Sequence, residues 1–520
     1  MSSAAAAAPT STPAQTRIPW LGLVAVLFGA IATTLTSRLT SQGLADIRGA
    51  LGAGFDEGAW ITTAFTASQM FIGPVTVRLG RNFGARNVLL IGCALYGVSE
   101  LLIPLAPNLD SVLALQVVAG LGSGTFIPLT PAFILLNLPQ PLRPYGVAAY
   151  VMNIVLALNV AATFEGWYTE HAAWQWIFWQ NAVVSVPLFA CYWFGLPDIG
   201  FDRTQHQSTN YRAALYGSVG FALIFIALDQ GDRLDWFASN LIVWLFSIGV
   251  VFVGLFLLSM SAMPRPTLNF DLFGNRNFVL ILLMITIIRF LISSTNIIVP
   301  NFLSVVRGLR SIQVGSALLW VALPQLVIAP ATAWLLTKVE TRLVMIVGIV
   351  IVAVACLFGT QLTSVWNEES FRNLLLIQAV GQTLALTALV YFFALHITVE
   401  DALTFGLFAN IARLFGGEIG TATLTVFTRK AEQTASNLIG LHVGTSDPLT
   451  LDRLAQYGAA LTPYSGSTLG GQQSVAVLSG AIRTQAYTLA YADGFWLAAC
   501  VAGAGLLITL FFKRPPPQPT

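Results

Sequence analysis

Residues 239–262 read SNLIVWLFSIGVVFVGLFLLSMSA, a run that contains no charged side chain. About 20 consecutive apolar residues in a helix are enough to cross the hydrocarbon core of a bilayer. A crossing segment must be a helix or part of a closed barrel, because lipid offers no hydrogen bonds to the backbone. The apolar residues here are continuous and do not alternate with polar ones, so the run favours a helix over a barrel strand.

Comparable runs recur along the chain, and fourteen of them are long enough to span a membrane. Of the 520 residues, 56% are hydrophobic and only 9% are charged. A soluble domain carries about 25% charged residues. The formal net charge of +2 also gives no reason to expect nucleic-acid binding. The sequence therefore predicts an all-α polytopic membrane protein with 14 transmembrane helices, and it excludes soluble enzymes and nucleic-acid binders.

The distribution of basic residues predicts the orientation of these spans. Thirteen arginines and lysines fall in the tails and loops of one side, against five in the short loops of the other. Short loops rich in Lys and Arg stay in the cytoplasm. We therefore expect a multi-pass protein of the inner (cytoplasmic) membrane with both termini cytoplasmic.

The spacing of the runs suggests two six-helix halves around an inserted pair of helices. We assign residues 1–18 to a disordered cytoplasmic tail without a cleavable signal, 19–196 to the first half, 197–277 to the inserted pair with its flanking loops, 278–512 to the second half, and 513–520 to a second tail. The second half includes a long outer loop, 429–486. Within it, residues 451–461 fit either an amphipathic helix or a mobile loop. This 6+2+6 organisation occurs in secondary transporters.

Neither an ATP site nor a metal site is visible in the sequence. A P-loop ends in Gly-Lys-Ser/Thr, but the only lysines, Lys338, Lys430 and Lys513, are followed by Val, Ala and Arg. The four cysteines lie in apolar runs and the four histidines are scattered, so no metal-ligand cluster is apparent. We expect no cofactor, no metal and no enzymatic activity, which leaves coupling to an ion gradient or passive passage.

Ionisable residues inside the spans are the strongest candidates for function, because charges at membrane depth are costly. Three bases and three acids qualify: Arg38, Arg289 and Arg413, and Glu100, Glu165 and Glu418. We expect them to pair, because an isolated buried charge is expensive. Some of these pairs could instead join helices or lie at the membrane interface.

Three motifs make the chain resemble a known family. They are LDQGDRLDWF at 228–237, LFGNRNF at 272–278 and NIARLFGGEIGTA at 410–422. On these motifs the chain resembles the fourteen-span drug:proton antiporters of the major facilitator superfamily, of the EmrB/QacA type. The resemblance implies the major facilitator fold, lipophilic substrates exchanged for protons, and a possible periplasmic adaptor and outer-membrane channel as partners. It implies conformational or motif roles for Arg81, Gly84, Arg86, Asp229, Asp235, Trp236, Arg276, Asn277, Asn410, Gly417 and Gly420.

The first half departs from the pattern of this family. The usual Asp of span 1 is absent and Arg38 follows two residues later, Gln116 stands where span 4 usually has Arg, and Glu165 enters the altered motif of span 5. We hypothesise that the proton switch has moved to Glu165, with Arg38 as its partner. A competing interpretation is that Arg38 faces the cavity and binds an acidic group of the substrate.

These observations favour a proton-coupled exporter of lipophilic or amphiphilic compounds, acting as the inner-membrane pump of a tripartite system. The candidate proton-coupling residues are Glu165, Arg38, Glu418, Arg413 and Glu100, and the candidate substrate-binding residues are Arg38, Arg289, Asn159, Gln116, Gln382 and Tyr391. Two alternatives stay open. One is an exporter of a specific endogenous metabolite, which could be anionic, and the other is a transport-dead sensor or assembly subunit with the same fold.

Overall fold

The computed structural model describes residues 20–197, 211–261, 270–396, 402–444, 447–465 and 467–513. Within these ranges the secondary structure is entirely helical, so the predicted all-α class is confirmed. The first half contains α1 (Trp20–Gln42), α2 (Leu44–Leu51), α3 (Phe55–Gly58), α4 (Trp60–Phe83), α5 (Ala85–Leu102), α6 (Leu109–Ser123), α7 (Phe126–Asn137), α8 (Arg143–His171) and α9 (Trp176–Gly195), with 3₁₀ turns at Ile103–Leu105 and Gln140–Leu142.

The inserted pair and the second half continue this helical pattern. The pair consists of α10 (Tyr211–Gly231) and α11 (Asn240–Ser261), joined through a 3₁₀ turn at Trp236–Ala238. After a 3₁₀ turn at Phe270–Gly274, the second half contains α12 (Arg276–Ser293), a π-helical segment (Ser294–Ile298), α13 (Val299–Val305), α14 (Ser311–Leu336), α15 (Thr341–Gly359), α16 (Glu368–Ala394), α17 (Ala402–Gly440), α18 (Pro448–Ser465) and α19 (Ser467–Thr509). The predicted tail at 1–18, residues 198–210 of the first inner loop and residues 263–269 of the second lie outside the described residues.

Twelve helical segments of the described chain are long and apolar enough to cross a membrane. Each of the fourteen predicted spans falls on a helix, but α4 and α17 are not among these twelve. The number fourteen is therefore not confirmed. The physical reason is the polarity of these two helices, since α4 carries Thr62, Thr66 and Gln69, and α17 carries Arg413 and Glu418.

The two halves meet closely at both ends of the molecule. We call the side that holds Trp20 and Thr509 the terminal face and the opposite side the distal face. Near the distal face, α8 packs against α14 so closely that a Cβ atom on Gly315 would lie 2.6 Å from the Cα atom of Thr163. Toward the terminal face, a Cβ atom on Gly406 of α17 would overlap the carbonyl oxygen of Pro128 in α7. The two halves therefore contact each other toward both faces, on either side of the space between them.

The loop between α10 and α11 links the two halves at the distal face. Nη1 of Arg233 lies 2.9 Å from Oδ1 of Asp56 in the first half. The preceding residue, Asp232, accepts a hydrogen bond of 2.7 Å from Nη2 of Arg429 in the second half. We call this chain of two ion pairs the ionic strap. Because both pairs are at the surface, each contributes only about 0–1 kcal/mol to stability.

The predicted long loop at 429–486 is largely helical in the structure. Helix α17 continues to Gly440, α18 follows, and α19 begins at Ser467, so three helices project beyond the membrane-spanning region. Residues 429–439, RKAEQTASNLI, contain no Pro or Gly that would end α17. Asp447 accepts hydrogen bonds from the hydroxyl and the amide of Thr450 at the start of α18, and the hydroxyl bond is the main reason that the pKa of Asp447 is lowered.

Candidate functional site

A polar cavity of about 160 Å³ lies between the two halves. Helices α1, α4, α8, α10, α12 and α17 all contribute to its wall. The hydroxyls and the amide of the first half come from Thr33, Thr34, Ser37, Ser41, Thr62, Thr66 and Gln69. We call this space the central cavity.

Five charged side chains line the central cavity. Arg38 comes from α1, Asp229 from α10, Arg289 from α12, and Arg413 and Glu418 from α17. Among the described residues, no ion pair within 4 Å joins one of these arginines to one of these acids. Three positive and two negative charges therefore face one small space, an arrangement that is costly at membrane depth and marks a functional site.

Arg38 and Glu418 are electrostatic neighbours across the two halves, since the field of Glu418 acts on Arg38. Glu418 also faces Asp229, a like charge. A proton on Glu418 would remove both its attraction to Arg38 and its repulsion of Asp229. The charge of this one carboxyl group thus sets the interaction among three helices, α1, α10 and α17.

Arg38 and Glu165 have different charged neighbours in the structure, and the coupling role of Glu165 stays a prediction. The charged neighbour of Glu165 is Asp46 in α2, and its carboxyl group also interacts with the hydroxyl of Ser311 at the start of α14. Glu165 is 1% exposed and its Oε2 atom makes no hydrogen bond within the described protein. The two side chains separate because they project from different levels: Arg38 faces the central cavity, whereas Glu165 faces the distal contact between α8 and α14.

Asp229 is a cavity residue that the sequence analysis assigned only to a motif. The hydroxyl of Thr63 in α4 donates a hydrogen bond to its Oδ2 atom, and Nε2 of Gln230 donates another at 3.1 Å. The inserted pair therefore contributes a carboxylate to the space between the halves. The spacing of Thr62, Thr66 and Gln69 at i, i+4 and i+7 could have indicated a polar face on α4 pointing to this site.

Glycines of α17 make room for Arg289. A Cβ atom on Gly416 would lie 2.7 Å from the Cα atom of Thr286, so α12 and α17 are in near-backbone contact. At Gly417, a Cβ atom would lie 3.1 Å from Nη2 of Arg289. Arg289 is 7% exposed, and its Nε and Nη1 atoms make no hydrogen bond within the described protein. These donors are available to an acceptor that enters the cavity.

Arg413 is held by its own helix. Its Nη2 and Nε atoms donate to Oδ1 of Asn410 at 3.0 and 3.3 Å. Arg413 and Arg289 also line a second, smaller space together with Tyr150 of α8. Asn410 thus orients an arginine that faces the central cavity, which gives this motif residue a physical role.

The other predicted site residues lie away from the central cavity. Glu100 is buried in α5 and accepts a hydrogen bond of 3.0 Å from Nδ2 of Asn181 in α9. Asn159 donates to the carbonyl of Val155, and Gln382 donates to the hydroxyl of Thr295 and to Gln378. Gln116 is fully buried and its amide makes no hydrogen bond within the described residues. Tyr391 packs against the main apolar core.

The motif residues are mostly found in turns and at helix ends. Gly84 joins α4 to α5 with φ of +78°. Asp235 and Trp236 have positive φ at the tip of the inserted pair, and Gly420 packs against Phe290.

The polar motif residues make side-chain contacts near the terminal face. Arg86 stacks on Trp193 and Arg276 on Phe511. Nδ2 of Asn277 donates to the carbonyl of Lys513 at 3.2 Å, which ties α12 to the end of α19. The side chain of Arg81 lies outside the described residues.

The described part of the chain contains no cluster of metal-ligating side chains. Within the described ranges, His, Cys, Asp and Glu side chains do not form a group of three that could hold an ion. The groups that line the central cavity are guanidinium donors, carboxyl groups and hydroxyls.

Comparison with known proteins agrees with this architecture. The chain is 25% identical over 493 residues to the multidrug export protein EmrB of Haemophilus influenzae, with 93% of each chain covered. It is 26% identical to the probable multidrug resistance protein EmrY of Escherichia coli K12, covering 96% of both, and 23% identical to the fatty acid resistance protein FarB of Neisseria gonorrhoeae, covering 93% of both. The resemblance to EmrB-type proteins is confirmed.

Solved structures show the same fold. The proton:xylose symporter XylE matches with a TM-score of 0.58 at 12% identity, over 95% of this chain and 96% of the symporter. The human organic anion transporter MFSD10 matches with a TM-score of 0.52 at 14% identity, over 94% and 100% of the two chains. The family model described as Major Facilitator Superfamily matches residues 26–421. The chain is a multi-pass membrane protein and belongs to the major facilitator superfamily.

Proposed function

We propose that this protein is a secondary transporter that exports amphiphilic compounds in exchange for protons through the central cavity. The observation that carries the proposal is the cavity between the halves, lined by three arginines and two acids. Alternating access in this superfamily requires a binding site near the middle of the membrane, reached in turn from each side. The fold and the family are those of transporters and give no support to an enzyme.

The coupling step that we propose uses Glu418 and Arg38. When Glu418 is ionised, its attraction to Arg38 holds α17 near α1, across the boundary between the halves. When it is protonated, this attraction is lost and the halves can separate more easily. Glu418 would bind a proton from one side of the membrane and release it on the other. This would drive the cavity to open toward each side in turn.

The proposal includes a location in the cell and partner proteins for the pump. The bias of arginine and lysine supports placement in the inner membrane with both termini cytoplasmic, so the distal face would be periplasmic. The relatives named as export and resistance proteins support a role in multidrug efflux. We also propose that the pump works with a periplasmic adaptor and an outer-membrane channel.

The direct test is transport by purified protein in proteoliposomes with an imposed pH gradient. A panel of cationic, neutral and anionic amphiphiles should include compounds whose movement follows the sign of the gradient and stops when the gradient is collapsed with an ionophore. Transport of a substrate at the same rate in both gradient directions would contradict proton coupling. An absence of any gradient-dependent movement across the panel would favour the transport-dead alternative.

The excess of arginine in the cavity favours one alternative, an exporter of an anionic metabolite. Arg38→Ala is expected to reduce transport of anionic amphiphiles much more than that of cationic ones if Arg38 binds an acidic group of the substrate, and Arg38→Lys should recover part of it. If Arg38 serves coupling alone, both substrate classes should lose transport equally. Initial rates across the two classes, in matched liposomes, separate these outcomes.

A further inference from the structure

A large groove lies beside the central cavity and has no role in the function proposed above. It measures about 890 Å³, and three elements form it: α17, the inserted pair through Leu228 and Trp236, and α19 through Leu489 and Asp493. We call it the lateral groove. Its volume falls in the range of small-molecule binding sites.

One face of α17 forms the floor of the lateral groove. The floor residues recur at spacings of three and four from Ile419 to Ile439, so they make a stripe about 30 Å long at 1.5 Å per residue. Apart from Lys430 they are small, apolar or hydroxylic. The floor therefore suits an extended apolar chain better than a compact polar molecule.

The lateral groove and the central cavity share a wall. Glu418 and Thr421 face the cavity, whereas Ile419 and Ala422, on the same turns of α17, face the groove. In α10, Asp229 lines the cavity and its neighbour Leu228 lines the groove. A single layer of helix separates the two spaces.

The groove also continues beyond the membrane. About 20 residues of a helix cross the bilayer, and α17 has 39 residues starting from the terminal face. The part of the stripe that ends at Leu438 and Ile439 therefore projects past the distal face. There Leu438 is 56% exposed, and an apolar occupant would remove such surface from water.

The charges of the groove indicate the headgroup that it would take. Lys430 is the cation of the lining and Asp493 its acid. In the described part of the chain, Lys430 has no ion pair within 4 Å, whereas its neighbour Arg429 is engaged in the ionic strap. An ammonium group without a partner, midway along an apolar stripe, complements the acidic headgroup of an amphiphile.

We propose that the lateral groove binds a single-chain amphiphile with an acidic headgroup, with the chain along α17 and the headgroup at Lys430. This inference rests on the proposed export function and adds an exit site to it. The amphiphile leaves the central cavity beside α17 and is held at the distal face before release. The occupant is the free amphiphile and not a phospholipid of the bilayer, because the stripe extends beyond the membrane.

The test uses the fluorescence of Trp236 in the full-length protein in nanodiscs. A brominated long-chain fatty acid should quench part of the tryptophan emission in a saturable way, and Trp236→Phe should remove that part. Lys430→Gln should weaken binding by about two- to fivefold, the range expected for one charge pair in contact with solvent. Asp493→Asn should strengthen binding of the fatty acid by a similar factor. Binding of a brominated quaternary ammonium amphiphile should instead become stronger in Lys430→Gln and weaker in Asp493→Asn.

Matched controls make the outcome decisive. Lys338→Gln removes a lysine at the terminal face and should leave quenching unchanged. Equal binding in Lys430→Gln and the wild type, or quenching that survives Trp236→Phe, would overturn the proposal. So would occupancy by brominated phospholipid that the fatty acid fails to displace.

The proposal for the lateral groove and the proposal for export can be refuted separately. Glu418→Gln acts in the central cavity, so it should remove gradient-driven transport and leave the quenching of Trp236 intact. Normal transport by a wild-type protein in which the fatty acid does not quench Trp236 would refute the groove alone. Normal quenching in a wild-type protein that transports none of the panel would refute the export function alone.

Discussion

Replacing Glu418 with glutamine is expected to reduce pH-gradient-driven transport to the level of protein-free liposomes, while the protein still binds amphiphiles. Glutamine keeps the size of the side chain but can neither ionise nor release a proton. Arg38 then lacks its acidic neighbour in the other half whatever the pH. The proton gradient can therefore no longer determine toward which side the cavity opens. The measurement is initial transport rate at a fixed gradient, with binding followed separately by equilibrium dialysis.

Two other buried carboxyl groups serve as comparisons. Glu100→Gln changes an acid that faces Asn181, outside the central cavity, and should retain most of the coupled transport. Glu165→Gln tests the hypothesis from the sequence, in which Glu165 is the coupling acid. Loss of coupling in Glu165→Gln together with normal coupling in Glu418→Gln would return that role to Glu165 and reject our assignment.

Leucine at Gly315 and at Gly406 should open the protein toward opposite faces. Each glycine lies where a Cβ atom would meet the other half, at Thr163 near the distal face and at Pro128 toward the terminal face. Overpacking costs about 1–3 kcal/mol, which shifts a two-state population by roughly 5- to 150-fold. Gly315→Leu is therefore expected to favour the distal opening, and Gly406→Leu the terminal opening, and both should slow transport strongly.

Accessibility of the cavity provides the measurement. A cysteine in place of Thr66, in a chain without its four native cysteines, should react with a membrane-impermeant maleimide from the distal side in Gly315→Leu and from the terminal side in Gly406→Leu. Gly503→Leu is the matched control, since a Cβ atom there has no neighbour within 4 Å. Equal labelling of both variants from the same side would contradict the assignment of these glycines to opposite closures.

Hydropathy predicted the positions of the helices because each span must cover its own backbone in lipid. Its signal is weaker where tertiary structure offers another environment. Helix α4 is polar because Thr62, Thr66 and Gln69 face a cavity and not lipid, so its membrane signal is weak. The region 429–486 appeared to be a loop because it lacks an apolar run, although its residues suit helices that pack on one another outside the membrane.

The sequence was enough to predict which charged residues form the candidate site, but not which of them lie next to each other. Arg38, Arg289, Arg413 and Glu418 were identified because charges are rare in apolar runs, and the structure brings all four to one cavity. Their partners depend on the rotation and height of each helix, which one sequence does not specify. For that reason Glu165 was matched with Arg38, and Asp229 was left to a turn motif although it faces Glu418.

The ionic strap makes the distal closure sensitive to the surrounding solution. Asp232 and Arg233 are adjacent, yet they bind opposite halves, at Arg429 and Asp56. Separation of the halves at the distal face must therefore break one pair, whichever half the inserted helices follow. Exposed pairs of this kind weaken as dissolved ions screen them, over a Debye length of about 8 Å at physiological ionic strength. The ionic strength at the distal face thus affects the energy of separating the halves there, through a loop that belongs to neither half.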